Sequence, residues 1–203
     1  MDSCLMRAVL IALISYALGN LNGAVIVSKA LYHEDVRHSG SQNGGLTNFM
    51  RVFGKKAAPL VILIDSGKAV LAVLLGGYLL EDYALLMEGR ALAMLFSVIG
   101  HTAPALYRFH GGKGILASIS AVFVLNWQMA LILMGVFFLI LLLTKYVSLG
   151  SMVGELLLPL LAHFFIGIPF VTGCCALCAG LTVYMHRSNI RRLLKGEENK
   201  FHF

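Results

Sequence analysis

Four short clusters in this sequence gather the residue types that hold a phosphate. "SGSQNGGLTNFMR", Ser39 to Arg51, combines Gly40, Gly44 and Gly45 with the short polar side chains of Ser41, Asn43, Thr47 and Asn48, and ends in an arginine. Glycines permit tight turns and let a ligand approach the backbone closely. Successive backbone N–H groups form anion-binding concavities, and a guanidinium matches a phosphate bidentately. "HGGKG", His110 to Gly114, sets Lys113 between Gly112 and Gly114, where it can grip a phosphate as a point charge. It is not a Walker A loop, because Tyr107 and Gly114 stand where that pattern needs a glycine and a hydroxyl residue. "HRSNIRRL" spaces His186 and Asn189 three residues apart, hence on one helical face, with Arg187, Arg191 and Arg192 close by. "TKYVSLGS", Thr144 to Ser151, is the fourth. The first three clusters also have plainer readings: a flexible connector, a turn with an anchoring lysine, and a basic helix against anionic headgroups. The last explains the arginines but not His186 or Asn189.

The elements that must position these clusters are membrane helices. Of 203 residues, 59% are hydrophobic and only 13% charged, with a mean hydropathy of +0.83; soluble domains carry roughly a quarter charged residues. The formal charge of +6 is ordinary for loops that obey the positive-inside rule, and nothing interleaves aromatic with basic residues as nucleic-acid binding would need. Apolar runs predict an all-α polytopic membrane bundle of seven transmembrane helices. The spans cover about 5–29, 57–79, 90–107, two sharing 115–144 with a turn at "NWQ", 149–165 and 168–185. The whole chain, 1–203, reads as one membrane-embedded domain. Cationic loops (Lys29 to Lys56, Arg108 with Lys113, Lys145, and the tail from Arg187) alternate with loops that are acidic or uncharged. That places the N-terminus outside and the C-terminus in the cytoplasm, with all four phosphate-favouring clusters on the cytoplasmic side.

Within the spans, Asp65 and Lys68 are three residues apart and read as a structural ion pair, since a lone charge there costs roughly 3 kcal/mol. His101 and Glu155 are single intramembrane polar residues that serve either packing or function. Cys174, Cys175 and Cys178 fall in an apolar run and read as packing residues, with no partner ligands for a metal. There is no Gly-x-Ser-x-Gly elbow, and Leu106 and Arg191 stand where an acyltransferase His-x4-Asp motif after His101 or His186 would need aspartate.

The order "GSQNGGLTNFMR", "DSGK", "GH" with "GGKG", "YVSLGS", "HRSNIRRL" and "GEENK" resembles the acyl-phosphate:glycerol-3-phosphate acyltransferase family (the PlsY type) over nearly the whole chain. The resemblance implies a seven-span bacterial membrane enzyme with an external N-terminus. It would move a fatty acyl group from acyl phosphate to the sn-1 hydroxyl of glycerol 3-phosphate, giving lysophosphatidic acid and phosphate, without cofactor or metal and without a nucleic-acid partner. Its partners would be the two substrates and membrane lipids. By matching, Ser41 and Arg51, Lys113, and His186 with Asn189 would serve phosphate binding and catalysis. Gly40, Asn43, Thr47, Asn48, Gly112 and Gly114 would shape the loops around substrate. The sequence departs from the pattern at Gln42, where the family has glycine. A positive φ there would cost of order 1 kcal/mol, which Gly44 could relieve. "GNLNGA", Gly19 to Ala24, also differs. For the base that takes the glycerol proton, the reading favours the substrate's own phosphate over His186. The rival functions are an organic-phosphate transporter, which would carry its polar groups at mid-membrane, and a catalytically weak lipid-binding paralogue.

Overall fold

The computed structural model describes residues 3–201 and is helical throughout, with no strand among the described residues. Its helices are α1 (Ser3–Gly19), α2 (Gly23–Tyr32), α3 (Leu46–Phe53), α4 (Ala58–Leu80), α5 (Leu86–Thr102), α6 (Ile115–Leu125), α7 (Trp127–Thr144), α8 (Val147–Phe165), α9 (Pro169–Met185) and α10 (Arg187–Leu194). The apolar face that each helix turns inward forms one core, in which Ile11, Met94, Val98, Val122, Met129 and Leu158 are fully buried. The outward faces are apolar too: Leu63, Leu74, Leu139, Leu143 and Phe164 lie exposed. A helix that is apolar all round suits lipid rather than water. Four stretches are long and apolar enough to cross a bilayer: α1 with α2, α4 with the turn after it, α7, and α8. The pair α9–α10, bent by 57°, would make a fifth. The apolar run of 115–144 divides at Asn126, whose side chain accepts from Met129 N and caps α7. That leaves α6 with 11 residues, about 17 Å of helix, well short of a bilayer core of roughly 30 Å.

Two departures from the sequence reading matter for the site. The first apolar run is not one continuous helix. It breaks at Asn20–Asn22, where Asn20 Nδ2 donates back to Tyr16 O and Asn22 Oδ1 caps α2 by accepting from Val25 N at 2.9 Å. The break is held from the side. Lys68 of α4 donates to the carbonyls of Gly19 and Leu21, and Asp65 accepts from Gly23 N. α1 can lie close to α5 because Gly19 faces Gly100; a Cβ on Gly19 would come within 2.8 Å of Gly100 Cα. The second departure is α3, a helix inside what reads as a loop. Phe49 and Phe53 turn inward onto Tyr32, at 6.0 and 4.5 Å between ring centroids, which leaves Thr47 and Arg51, one turn apart, on the other face.

Candidate active site

One cavity of about 730 Å³ opens between the loop after α2, α3, the glycine turn before α6, the start of α8 and the α9–α10 bend. Ser41, Asn43, Thr47, Asn48, Arg51, Lys113, Gly114, His186 and Asn189 all line it, although up to 148 residues of chain separate them (189 − 41). Gly40 and Gly112 stand just behind the wall and shape it. Gly40 has φ of +63°, and a Cβ there would meet Asn48 Oδ1 at 2.4 Å. Asn48 lies on the wall but spends its polar atoms on the loop itself. Its Oδ1 accepts from Ser41 N at 2.8 Å, and its Nδ2 donates to the carbonyls of Val36, Ser39 and Asn43. Gln42 adopts φ of +56°, the left-handed conformation that glycine would take freely. Gly44 does not share that conformation; its bare Cα instead lets the loop approach the second cluster, with Gly44 N donating to Gly111 O at 3.2 Å.

The first loop and the glycine turn are therefore one assembly. Asn22 Nδ2 donates to Gly44 O at 2.8 Å, joining the break in the first run to the loop. Arg37 donates to the carbonyls of Tyr107 and His110 while Asp35 grips its guanidinium at 2.6 Å. That hydrogen bond holds the Asp35 carboxyl well below the usual carboxylate range. The result is two helix N-termini without side-chain caps beside the cavity. α3 begins after Gly45, and α6 begins after Gly114, which has φ of +89°. Unpaired N–H groups and the helix dipole both favour an anion there.

Cations outnumber carboxylates on the wall: Arg51, Lys55, Lys113, Arg192 and Lys200 against Asp65, Glu155 and Glu198. Lys113 Nζ donates to Asn189 Oδ1 at 2.5 Å, and burial lowers its pKa to about 8; Arg192 and Arg51 lower it too, whereas Glu198 opposes the shift. His186 sits at the α9–α10 bend. Its Nδ1 lies 2.8 Å from Thr182 O, so Nδ1 carries the proton and Nε2 keeps a lone pair. Burial, and then the neighbouring Lys113 charge, push its pKa down to about 4, so the ring is neutral at pH 7. Beyond this polar end the cavity continues as an apolar groove along α6, α7 and α8, lined by Ile119, Val122, Leu133, Met134, Phe137 and Phe138.

The sequence reading gave no individual role to several polar residues of the wall, among them Lys55 and Glu198; it named Arg192 only as a basic neighbour of His186 and Asn189, and Ser148 only within "TKYVSLGS". Glu198 joins α8 to α10 by accepting from Ser148 Oγ (2.7 Å) of α8 and from Asn189 Nδ2 (2.6 Å) and Arg192 Nε (2.6 Å) of α10. Burial raises its pKa, but these hydrogen bonds outweigh burial and leave it lowered. The signal was present in "YVSLGS" and "GEENK", yet their meeting depends on the tail folding back, with Phe201 N donating to Lys145 O at 2.7 Å. Asp65 and Lys68 do pair, at 2.7 Å, as their spacing suggested. Glu155 is buried and also lines the cavity. Cys174, Cys175 and Cys178 are packed into the core.

Comparison with known proteins gives the same direction. The family model for glycerol-3-phosphate acyltransferase matches residues 9–196. A glycerol-3-phosphate acyltransferase of Thermoanaerobacter sp. is 40% identical over 195 residues, covering 96% of each chain. Those of Finegoldia magna and Clostridioides difficile are 37% and 38% identical, over 95% of this chain and 95% and 94% of their own. Two crystal structures of PlsY (YgiH), an integral membrane glycerol 3-phosphate acyltransferase, superpose with TM-scores of 0.87 for the glycerol 3-phosphate form and 0.82 for the lysophosphatidic acid form. Each is 30% identical and covers 96% of this chain, with 96% and 95% of the PlsY chains matched. With the phosphate-favouring residues gathered at the mouth of an apolar groove, and with these matches along nearly its full length, the chain belongs to the glycerol-3-phosphate acyltransferase family.

Proposed function

We propose that this protein acylates the sn-1 hydroxyl of glycerol 3-phosphate with acyl phosphate as donor, releasing lysophosphatidic acid and inorganic phosphate. The observation that carries this reading is the single cavity with a cationic, N–H-rich end and an apolar groove behind it. Lysophosphatidic acid joins a phosphate and an acyl chain in one molecule, and the cavity provides for both. Membership in an acyltransferase family sets aside the transporter reading.

The chemistry asks the chain mainly for placement and charge control. The glycerol oxygen attacks the acyl carbonyl carbon, the bond from that carbon to the phosphate oxygen breaks, and the hydroxyl proton leaves with inorganic phosphate. Two polyanions must come together, which Lys113, Arg51 and the helix ends of α3 and α6 make possible. The same groups stabilise the departing phosphate as its charge grows. Ser41, Asn189 and His186 orient oxygens by hydrogen bonding. Burial and the Lys113 charge make His186 a poorer base than a free imidazole. A substrate phosphate, which brings its own acceptor oxygens to the reacting hydroxyl, takes the proton instead. The acyl tail lies in the α6–α8 groove, each buried CH₂ contributing roughly 0.8 kcal/mol.

Counting α5 and the short α6 with the five candidate spans, the chain forms one membrane-embedded domain of seven spans, with its N-terminus outside and the cavity open to the cytoplasm; the alternation of cationic with non-cationic loops supports this orientation. The deciding experiment supplies acyl phosphate and glycerol 3-phosphate to purified protein and measures lysophosphatidic acid. Acyl-CoA and acyl carrier protein should not replace acyl phosphate, and comparable rates with acyl-CoA would refute the donor assignment.

A further inference from the structure

Behind the Lys113 turn lies a buried cluster, Asp65, Lys68 and His101, to which the mechanism above gives no task. Bracing the break between α1 and α2 accounts for Asp65 and Lys68, because helix ends in a membrane need partners for their free carbonyls and N–H groups. It does not account for His101. Lys68 Nζ lies 2.9 Å from His101 Nδ1, and an ammonium has no lone pair, so Nδ1 accepts; the three N–H groups of Lys68 are shared among four acceptors, Nδ1, Asp65 Oδ1 and the Gly19 and Leu21 carbonyls. Asp65 Oδ1 is 3.5 Å from the same nitrogen, too far to compete. An imidazole that accepts at Nδ1 carries its proton on Nε2.

Nε2 abuts the glycine turn. A Cβ on Gly112 would stand 2.1 Å from it, and Gly112 N donates to the His101 carbonyl at 3.0 Å, so ring and turn fit only as a pair. Nε2 has no hydrogen-bond partner among the described residues, and it is not one of their sealed orphan polar atoms. His101 and Asp65 both line the cavity that holds Ser41 and Lys113. We propose that His101 is a further substrate-binding residue, whose Nε2–H donates to a phosphoryl oxygen beside Lys113 while Asp65 and Lys68 fix its tautomer. That oxygen belongs either to glycerol 3-phosphate or to acyl phosphate.

The proposal rests on the function given above, and wild-type turnover in the same assay tests that function separately. His101→Leu removes the donor, whereas His101→Gln places an amide N–H near the position of Nε2. His101→Leu should raise KM about tenfold or more for glycerol 3-phosphate, acyl phosphate or both, the size expected for a hydrogen bond to a charged oxygen. The substrate whose KM moves identifies the oxygen. His101→Gln should recover to within about threefold of wild type. Unchanged KM values in a folded His101→Leu protein, or equal losses in both variants with a lowered Tm, would overturn the proposal. Should neither variant fold, wild-type protein labelled with ¹⁵N-histidine decides: one Nε2–H imidazole resonance should move on adding glycerol 3-phosphate or inorganic phosphate. Absence of that tautomer, or a resonance that stays in place with both, overturns the proposal equally.

Discussion

Lys113 makes substrate affinity depend on pH in a direction that can be worked out. In the unliganded protein its pKa is lowered to about 8, with burial the main cause. A bound dianion favours the ammonium, so binding draws a proton onto any Lys113 that has lost one, and affinity falls as pH rises past 8. Protonated Lys113 is about 90% of the population at pH 7 and about 10% at pH 9. The apparent dissociation constant of glycerol 3-phosphate should therefore rise roughly tenfold between those pH values, about 1.4 kcal/mol. The substrate contributes little to this change, since a phosphate monoester with its second pKa near 6 is already largely dianionic at pH 7. The assay is KM for glycerol 3-phosphate in detergent across pH 6.5–9.5, with acyl phosphate saturating. Lys113→Arg supplies the control, because a guanidinium stays charged throughout and should flatten the profile, whatever its absolute affinity. A flat wild-type profile from pH 7 to 9 would refute the reasoning. So would a slope that persists unchanged in Lys113→Arg.

Ser41→Ala should weaken the use of glycerol 3-phosphate by about tenfold to a hundredfold, the loss of one donor to a charged oxygen. Gln42→Gly relieves a positive φ but loosens the loop, so activity should change less than tenfold; a dead Gln42→Gly with a silent Ser41→Ala would make the glutamine the ligand. Asp65→Ala leaves Lys68 buried without its carboxylate, and thermal stability in detergent should fall by about 3–5 kcal/mol; an unchanged Tm would remove the bracing role. Cysteines placed near Ser41 and Lys200 should react with an impermeant reagent only from the cytoplasmic side, and one near Asp82 only from outside. Labelling of the Ser41 and Asp82 positions from the same side would overturn the proposed topology.

How much of this protein its sequence discloses depends on the range of the forces involved. Helices α4, α7 and α8 start and stop within a few residues of where the apolar runs do, because in lipid the backbone must satisfy its own hydrogen bonds and an apolar run long enough to cross is necessarily helical. The Asp65–Lys68 pair was legible from spacing alone; at Gln42 the resemblance raised only the cost that a positive φ would carry, and the structure supplies that φ. The break in the first run was not. Asn20 and Asn22 barely interrupt the hydropathy, and what completes the broken helix ends is Lys68 and Asp65, more than forty residues away. An eight-residue helix such as α3 is marginal on its own, and it exists here because Phe49 and Phe53 have Tyr32 to pack against. Neither its presence nor the direction of Arg51 follows from the loop's composition. Glu198 is one carboxylate among several in a polar tail until that tail returns to Asn189, Ser148 and Arg192. The sequence determined which chemistry the residues could perform, since side-chain type decides what can hold a phosphate. That Ser41, Arg51, Lys113, His186 and Asn189 face one cavity is a matter of long-range packing, and only the tertiary structure decided it.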